Sequence, residues 1–508
     1  MKKIKLYSTQ VIIVLALILV SCEKSVDFLT EINPNTVTDE VFWKTESDFD
    51  KWVVGTYSAL QYGQGQSHRA SFNRFFAWAS VNRSDEFFED TGDDWAISHS
   101  KFTYDATNIA FPPLWDAFWM PIFRANKLID NISDVPDLDE AKQKEYLGEA
   151  QFLRGFSYFY LINLWNKIPL ITVPIVDEND FYPLSVERDV VWQQIISDLT
   201  AATTNLSAVK TRDESSYGRA TWGAAVAQLG KAYLYLGEWQ KAADEFKKII
   251  DSEVYDLVSD YNDNCNDFNE NNIESIFEAQ SNYTIHRFYS SWRGRDGGPF
   301  NYSNYSGYVE PWLVKTFLEE KTIDGKVDPR AFATLIFPNP ESTLYGGLTY
   351  EEAYGTLDPD AHSYWRKYRN VDTQANDFNG FPSSVNDRII RFADVLLMYA
   401  EAENEENGPT TTAQAAFNRV RDRANMSNVD PNISKDDFRK VIRRERVLEL
   451  SGEDNRWLDL KRWGILEERF NDPDVLSGEF FEINRHEYYP IPQTEIDLNP
   501  SLEQYSNF

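Results

Sequence analysis

The chain has 508 residues, 42% of them hydrophobic, which is enough for a large core in one big domain or two. Its formal charge of −31 excludes nucleic acid as a natural partner, because phosphate binding needs a basic face. The 2 cysteines and 5 histidines form no CxxC or HExxH spacing, and no glycine-rich phosphate loop is present. The sequence therefore predicts neither a metal site nor a cofactor.

The first 21 residues have the pattern of a signal peptide. Lys2, Lys3 and Lys5 precede an apolar run at residues 11–20, which is too short to span a bilayer. The run ends in LVSC, which resembles the bacterial lipobox, where the cysteine is lipidated and begins the mature chain. We expect residues 1–21 to be removed and Cys22 to carry a lipid anchor; the alternative is an ordinary signal peptide with a chance cysteine.

Helical patterns follow along most of the chain. The first helices are expected to begin near Asp39 and near Ser47, which is an N-cap type of residue. Further helices are predicted over residues 114–132, 145–165, 190–206, 311–318, 391–404, 411–424 and 436–450. The second of these contains AQFLRGFSYFYLINLW, which is apolar on nearly every side and is therefore expected to be buried all round.

Residues 218–250 predict a helical hairpin that turns at Gly237. The positions that match the tetratricopeptide pattern L-G-x2-Y…A-x3-F are Leu229, Gly230, Tyr233, Ala242 and Phe246. One hairpin cannot bury its apolar face alone, so we expect the other helices to stack against it. The predicted fold is mainly α, with a helical scaffold over residues 39–60, 114–255 and 390–465 and an extended surface tail at 485–508.

Two stretches, residues 61–111 and 256–389, lack this periodicity and are expected to form loop-rich, ligand-binding parts. Aromatic residues alternate there with Asn, Asp, Arg and Gly, including Phe87 and Phe88 in the first stretch and Tyr308 in the second. Flat rings stack on the C–H face of a sugar, and polar side chains hold its hydroxyls. The candidate ligand-binding residues are Trp78, Asn82, Arg83, Asp85, Trp95, Tyr289, Trp292, Arg293 and Tyr302.

The helical hairpins should stack on one another, so the loop segments between them should gather outside the stack. We therefore expect Trp78, Trp95 and Trp292 to belong to one aromatic platform. A capped turn at residues 82–86 is an equally good interpretation of that polar segment. The tryptophans in or beside helical patterns are expected in the core: Trp115, Trp119, Trp165, Trp192, Trp239 and Trp457.

A pair of carboxylates could act as acid and base in a glycoside hydrolase, and Glu445 and Glu449 share one helix face. They belong to a larger set of charges in helical segments: Arg391, Asp394, Glu401, Glu445, Arg446, Arg456, Asp459 and Arg462. No pair among them lies in a segment with the composition of an open cleft. The sequence therefore favours ion pairs that lock helices together, with no catalytic residue.

Seven blocks in order give the chain a family resemblance. After a front block that begins at Phe28, they include AQFLRGFSYFYLINLWNKIPL at 150–170, GRAT at 218–221 and RFADVLLMYAEA at 391–402. ER, EL and RWLDLKRWG follow between residues 445 and 464, and YPIP…EI…NPxL closes the chain at 489–502. The chain resembles the SusD/RagB family of surface nutrient-binding lipoproteins of Bacteroidetes.

The resemblance implies a tetratricopeptide-like scaffold with a loop-rich ligand-binding part and no catalytic activity. It also implies an outer-membrane, lipid-anchored protein facing the cell surface, which binds a glycan and delivers it to a SusC-like TonB-dependent transporter. A RagB-like member that binds peptides is one alternative. A tetratricopeptide-type lipoprotein that binds only protein is another, although regular 34-residue repeats would then be expected.

Overall fold

The computed structural model describes residues 42–60, 80–91, 94–134, 138–266, 268–281, 306–343, 347–367 and 385–508. The expected helix start at Asp39 and the signal segment lie outside these residues. Within the described ranges, no helix combines the length and the apolar character that crossing a bilayer requires.

Helices dominate the first half of the chain. In order, the elements are α1 (Glu46–Tyr57), β1 (Phe87–Thr91), α2 (Asp94–Lys101), α3 (Phe111–Asn131), α4 (Glu140–Leu164), β2 (Ile168–Pro169), β3 (Ser185–Val186), α5 (Arg188–Asn205), α6 (Trp222–Tyr235) and α7 (Trp239–Asp251). The helix expected near Ser47 begins at Glu46, because Thr45 and Asp48 form a capping box there.

Short strands and short helices follow before the helical scaffold resumes. The elements are β4 (Ser275–Ala279), β5 (Ser306–Val309), α8 (Pro311–Glu319), α9 (Pro329–Thr334), β6 (Leu335–Ile336), α10 (Tyr350–Tyr354), β7 (Tyr364–Trp365), β8 (Asp387–Arg391), α11 (Phe392–Asn407), α12 (Thr411–Arg423), α13 (Lys435–Leu450), α14 (Arg456–Arg462), α15 (Leu466–Phe470), α16 (Ile483–His486) and α17 (Gln493–Leu498). The described strands form antiparallel pairs, β1–β5, β2–β3, β4–β8 and β6–β7.

The long helices stack in chain order. Helix α3 packs on α4, α4 on α5, α5 on α6, α6 on α7, and α7 on α11, which also contacts α12 and α13. Helix α4 is buried from Gly148 to Leu164, except at the half-buried Gln151, as its sequence predicts. Its one guanidinium in that stretch, Arg154, donates to both carboxylate oxygens of Asp198 on α5 at 2.9 and 2.7 Å.

Helices α6 and α7 form the predicted hairpin, with Gly237 at φ 71° in the turn. A Cβ atom on Gly230 would lie 2.6 Å from Cε1 of Phe246, so the glycine lets the phenylalanine ring sit against the helix backbone. Ala242 and Phe246 are fully buried, whereas Leu236 is exposed because it caps α6 at the surface turn. The tetratricopeptide pattern thus corresponds to a packed contact between the two helices.

Most of the tryptophans predicted in the core are there. Trp115, Trp119, Trp165, Trp192 and Trp457 are at most 5% exposed. Trp239 is only half-buried, because it begins α7 directly after the surface turn.

The C-terminal tail differs from the extended surface segment that its prolines predicted. Tyr489 and Ile491 are fully buried in the main core, between α16 and α17. The ring of Tyr489 packs 4.8 Å from that of Phe111, and the indole N–H of Trp165 donates to the carbonyl of Pro490 at 2.9 Å. Burial of these rings fixes the tail in the core.

A group of buried charges joins the scaffold to the loop-rich part. We call it the buried ion network; its members are Glu274, Arg330, Arg391, Arg423, Glu445, Glu449 and Glu453. Arg330 of α9 reaches Glu445 at 2.6 Å and Glu449 at 3.2 Å on α13. Glu445 and Glu449 are therefore both held by arginines, which confirms the favoured ion-pair interpretation over an acid–base pair.

The other charges of that set are also paired in the interior. Arg446 contacts Asp394 and Asp459, each at 2.7 Å, and Arg462 reaches Asp459 at 2.9 Å and also pairs with Glu401. These contacts tie α14 to α11 and α13.

Candidate ligand-binding site

The two loop-rich stretches meet at one small sheet. Strand β1 lies within the first stretch and pairs with β5, which lies within the second. Phe87 lies opposite Val309, and Phe88 lies opposite Tyr308. The two stretches therefore meet at this strand pair, and the wider expectation that they gather outside the helical stack stays a prediction.

Three rings lie together on the outer face of the sheet. The rings of Phe88 and Tyr308 are 5.3 Å apart between centroids. His362 stacks on Tyr308 at 3.8 Å with an interplanar angle of 18°, and its side chain is exposed. We call Phe88, Tyr308 and His362 the ring cluster.

The inner face of the same sheet is packed, which fixes the position of the outer rings. Phe87 and Val309 are 1% and 2% exposed and belong to one apolar cluster. A Cβ atom on Gly307 would lie 1.6 Å from Cζ of Phe87, so only glycine leaves room for that ring. Because side chains alternate across a strand, burying Phe87 and Val309 turns Phe88 and Tyr308 outward.

Two buried glutamates connect one end of the sheet to the scaffold. The Glu310 carboxylate accepts from the backbone N–H groups of Leu476 at 3.0 Å and Ser477 at 2.6 Å. Glu86 accepts from the N–H of Gly452 at 3.3 Å. Burial raises the pKa of Glu86 and of Glu310 to about 7 in each case. The base of the ring cluster therefore contains two carboxyl groups that titrate near neutrality.

Trp95, one of the three predicted platform tryptophans, lies on α2 beside this sheet. Helix α2 is fastened to β1, because the N–H of Glu89 donates to the hydroxyl of Ser100 at 3.0 Å. The indole of Trp95 is half-buried and meets the ring of His99 edge-on at 6.4 Å. Its place next to β1 keeps it among the candidates for the ligand site.

Asn82, Arg83 and Asp85 occupy the interior, with exposures of 5%, 0% and 0%. The Arg83 guanidinium lies between the rings of Trp457 and Tyr489, at 4.0 and 3.9 Å from their centroids. This burial argues against the predicted ligand contact by these three side chains. Their polarity serves internal contacts instead.

The Asp85 carboxylate holds two helices of the C-terminal part. It accepts from Arg456 of α14 at 2.7 and 2.6 Å and from Arg469 of α15. Burial alone would raise the pKa of Asp85, but the charges of these two arginines outweigh it and lower the pKa. The segment before β1 is therefore locked to the scaffold by charge.

The other candidates fall outside the described residues. They are Cys22, Trp78, Tyr289, Trp292, Arg293 and Tyr302. They stay predictions.

His362 was missed at the sequence level. It lies in the segment GTLDPDAHSYW, whose one proline, one glycine and two aspartates indicate only a loop. The isolated bridge between Val309 and Ser363 places it beside β5. Its neighbours Tyr354 and Tyr364 were the available signal, because rings on both sides of a short loop indicate an aromatic cluster.

The geometry suits binding by stacking. The ring cluster offers the exposed ring of His362 beside the half-buried rings of Phe88 and Tyr308. Flat rings of this kind are complementary to the C–H face of a sugar ring or to another flat ligand. The two α13 glutamates that could have formed an acid–base pair are neutralised by arginines in the interior.

Comparison with known proteins gives this arrangement a family. Residues 266–508 match the model described as the SusD family, and residues 27–234 match the model described as "Starch-binding associating with outer membrane". Together the two matches cover the regions in which the sequence blocks of the family resemblance lie. The chain belongs to the SusD family.

Similar proteins share its whole length. SusD-like protein P25 of Formosa agariphila is 29% identical, over 97% of this chain and 97% of its own length. A SusD superfamily protein of Bacteroides vulgatus is 28% identical with a TM-score of 0.81, covering 92% of this chain and 100% of that one. A laminarin-binding SusD-like protein is 25% identical with a TM-score of 0.73, again over 92% of this chain and 100% of the other.

Proposed function

We propose that the protein binds an oligosaccharide or polysaccharide nutrient and delivers it, unchanged, to a SusC-like TonB-dependent outer-membrane transporter. The ring cluster supports glycan binding most directly. The packed strand pair holds the rings of Phe88 and Tyr308 in place, and the ring of His362 is exposed beside them. The similarity to a laminarin-binding protein makes a β-glucan the first ligand to test. Trp78, Trp95 and Trp292 are proposed to extend the ring cluster into a longer platform.

Titration calorimetry of single alanine variants tests the binding site. A ring stacked on sugar contributes about 1 kcal/mol beyond the area it buries, so Tyr308→Ala should weaken glycan binding by roughly tenfold. Tyr182 is 50% exposed on the connection between α4 and α5, and Tyr182→Ala is the matched control. If a glycan panel that begins with laminarin yields a ligand, and both variants bind it like the parent, the ring cluster is not the site.

The same panel separates the alternatives. A RagB-like peptide binder would bind peptides in place of glycans, and a protein-binding scaffold would bind neither. The buried pairing of Glu445 and Glu449 supports a non-catalytic role. Glycan hydrolysis by the purified protein that disappears on replacing a single carboxylate would contradict it.

Delivery to a transporter rests on family membership, which is an association and not a geometric argument. The protein is proposed to face the cell surface on a lipid anchor at Cys22, in line with the outer-membrane association that the family description states. Purification of the native protein from membranes in mild detergent should also recover a large β-barrel protein. Repeated recovery of the protein alone would count against a stable transporter complex.

A further inference from the structure

A cavity of about 250 Å³ opens where α6 begins. Its walls come from the α5–α6 connection at residues 210–221, from residues 254–255 after α7, and from residues 271–278 leading into β4. No residue of the ring cluster lines it. This volume is below the range of about 300 to 1,000 Å³ for pockets that hold drug-sized ligands, so the cavity can admit one small unit and not a chain.

The cavity wall is rigid before any ligand arrives. Gly218 has φ 85°, and a Cβ atom on it would lie 2.6 Å from Cγ of Gln280. A Cβ atom on Gly223 would lie 2.3 Å from the hydroxyl of Tyr255, which is 3.0 Å from the Thr221 hydroxyl. These contacts explain the glycine in the GRAT block, which shapes the wall. A preformed wall lowers the cost of ordering a ligand.

Two of the three cations that line the cavity are already neutralised. Arg219 donates to Glu149 at 2.9 and 2.6 Å and to Asp50 at 2.7 Å. Arg212 is paired with Glu145 and donates to the carbonyl of Ala220 at 2.6 Å. Neither guanidinium is therefore available to a ligand as a free charge.

Lys210 is the third lining cation, and it has no carboxylate partner within the part of the chain that the structure describes. Its ammonium lies 3.2 Å from the ring centroid of Trp222. Partial desolvation lowers the pKa of Lys210 from its ordinary value. The Lys210 side chain is exposed, so its ammonium can meet an anionic group at the mouth of the cavity.

The remaining polar side chains of the wall are the amides of Asn271 and Asn272, the Glu278 carboxylate, which pairs with Arg388 at 3.2 Å, and several hydroxyls. Those of Thr211, Tyr217 and Ser275 have no hydrogen-bond partner among the residues with described positions. Tyr217 is 42% exposed at the rim, so its ring is also available to an apolar face. Hydroxyls both donate and accept, which matches the hydroxyl groups of a sugar.

We propose that this cavity is a second ligand site that binds one hexuronate unit, with the Lys210 ammonium on the carboxylate and the Thr211, Tyr217 and Ser275 hydroxyls on the sugar hydroxyls. The site is separate from the ring cluster. It recognises the carboxylate of a sugar unit, whereas the ring cluster recognises the flat C–H face of a sugar ring. A protein with both sites discriminates acidic from neutral glycans.

Calorimetry of the full chain in detergent, with glucuronate, glucose and acetate as probes, tests the proposal. Glucuronate should bind in the millimolar range, as suits about a dozen heavy atoms at a surface, and more tightly than glucose or acetate. Lys210→Met should weaken glucuronate binding by roughly tenfold or more, since a charge-assisted hydrogen bond is lost. Lys241→Met is the matched control, because Lys241 also lies over a ring, that of Tyr233 at 5.4 Å, outside the cavity.

Three results would overturn the proposal: no heat with glucuronate, equal affinity for glucuronate and acetate, or parent-like binding by Lys210→Met. Tyr308→Ala should leave glucuronate binding unchanged. Loss of laminarin binding in that variant therefore tests the ring cluster separately from this cavity.

Discussion

Replacing Arg391 with methionine should lower the free energy of unfolding by about 3 kcal/mol. The guanidinium of Arg391 is 1% exposed and donates to Glu453 twice at 2.8 Å and to the Glu449 carboxylate at 3.0 Å. It also pairs with Glu274 of the segment leading into β4. Methionine retains the apolar volume of the side chain but removes every one of these contacts.

The size of the expected destabilisation depends on which cations the three carboxylates keep when Arg391 is removed. Breaking a buried pair by removing one partner costs about 3–5 kcal/mol when the other charge is left uncompensated. Here each carboxylate keeps another cation: Arg423 lies 3.2 Å from Glu274, and Lys367 lies 2.7 Å from Glu453. Glu449 keeps Arg330 at 3.2 Å. This sharing places the cost near the lower end of the range.

Urea unfolding followed by far-ultraviolet circular dichroism measures the change. The matched control is Arg419→Met, because Arg419 pairs with Asp256 while their side chains are 38% and 62% exposed. A pair this exposed should contribute about 0–1 kcal/mol. The two variants remove the same group and differ mainly in burial.

The dependence of the unfolding free energy on pH below about 4.5, the acid limb of the stability curve, provides a second measurement. Burial would raise the pKa of Glu449, but the charges of Arg423, Arg391 and Arg330 outweigh it and lower the pKa to about 2. The stability from this lowered pKa is present above about pH 4.5 and is lost as the pH falls towards 2. In Arg391→Met the pKa of Glu449 is lowered less, so that loss should be smaller and should end at a higher pH. Equal unfolding energies for the Arg391 and Arg419 variants, with superimposable acid limbs, would refute the argument.

Three further predictions concern the sheet, its base and the anchor. Gly307→Ala should displace β1 from β5 and weaken glycan binding in calorimetry, because its Cβ would overlap the Phe87 ring. The control is Gly55→Ala, where a Cβ would have no atom within 4 Å. It should leave binding unchanged and should leave the free energy of unfolding in urea equal or slightly higher. Burial raises the pKa of Glu310 to about 7, so its contribution to stability is full below about pH 4.5 and is lost as the pH rises through 7. Glu310→Gln should therefore flatten the decline in unfolding free energy between about pH 4.5 and pH 7, and an unchanged slope would exclude this group as its cause. Cys22→Ala should move the protein out of the membrane fraction on cell fractionation, and retention there would show that another segment anchors it.

Helix positions were predictable because each long helix carries its own periodic pattern. The predicted helix at 114–132 is observed at Phe111–Asn131, and the one at 436–450 at Lys435–Leu450. The block at 445–464 also identified the family, since its charged residues pair across helices and few replacements preserve such pairs.

The ligand site was less predictable, because its residues come together only through the fold. The segment that contains Arg83 and Asp85 has the composition of a surface turn. Nothing in the local sequence shows that two aromatic rings enclose Arg83 or that two arginines pair with Asp85. His362 joins Tyr308 through a bridge between separate segments. Burial and pairing between distant segments decide the roles of such residues.

The pairing of β1 with β5 has a consequence for folding. Thr91 and Ser306 are neighbours in this sheet although more than two hundred residues separate them along the chain. Contacts of such long range form late, because the entropy of closing the loop must be offset by structure that already exists. The helical hairpins, whose contacts are local, should fold first and bring the two strands together. Recovery of glycan binding during refolding should therefore lag behind recovery of helix content.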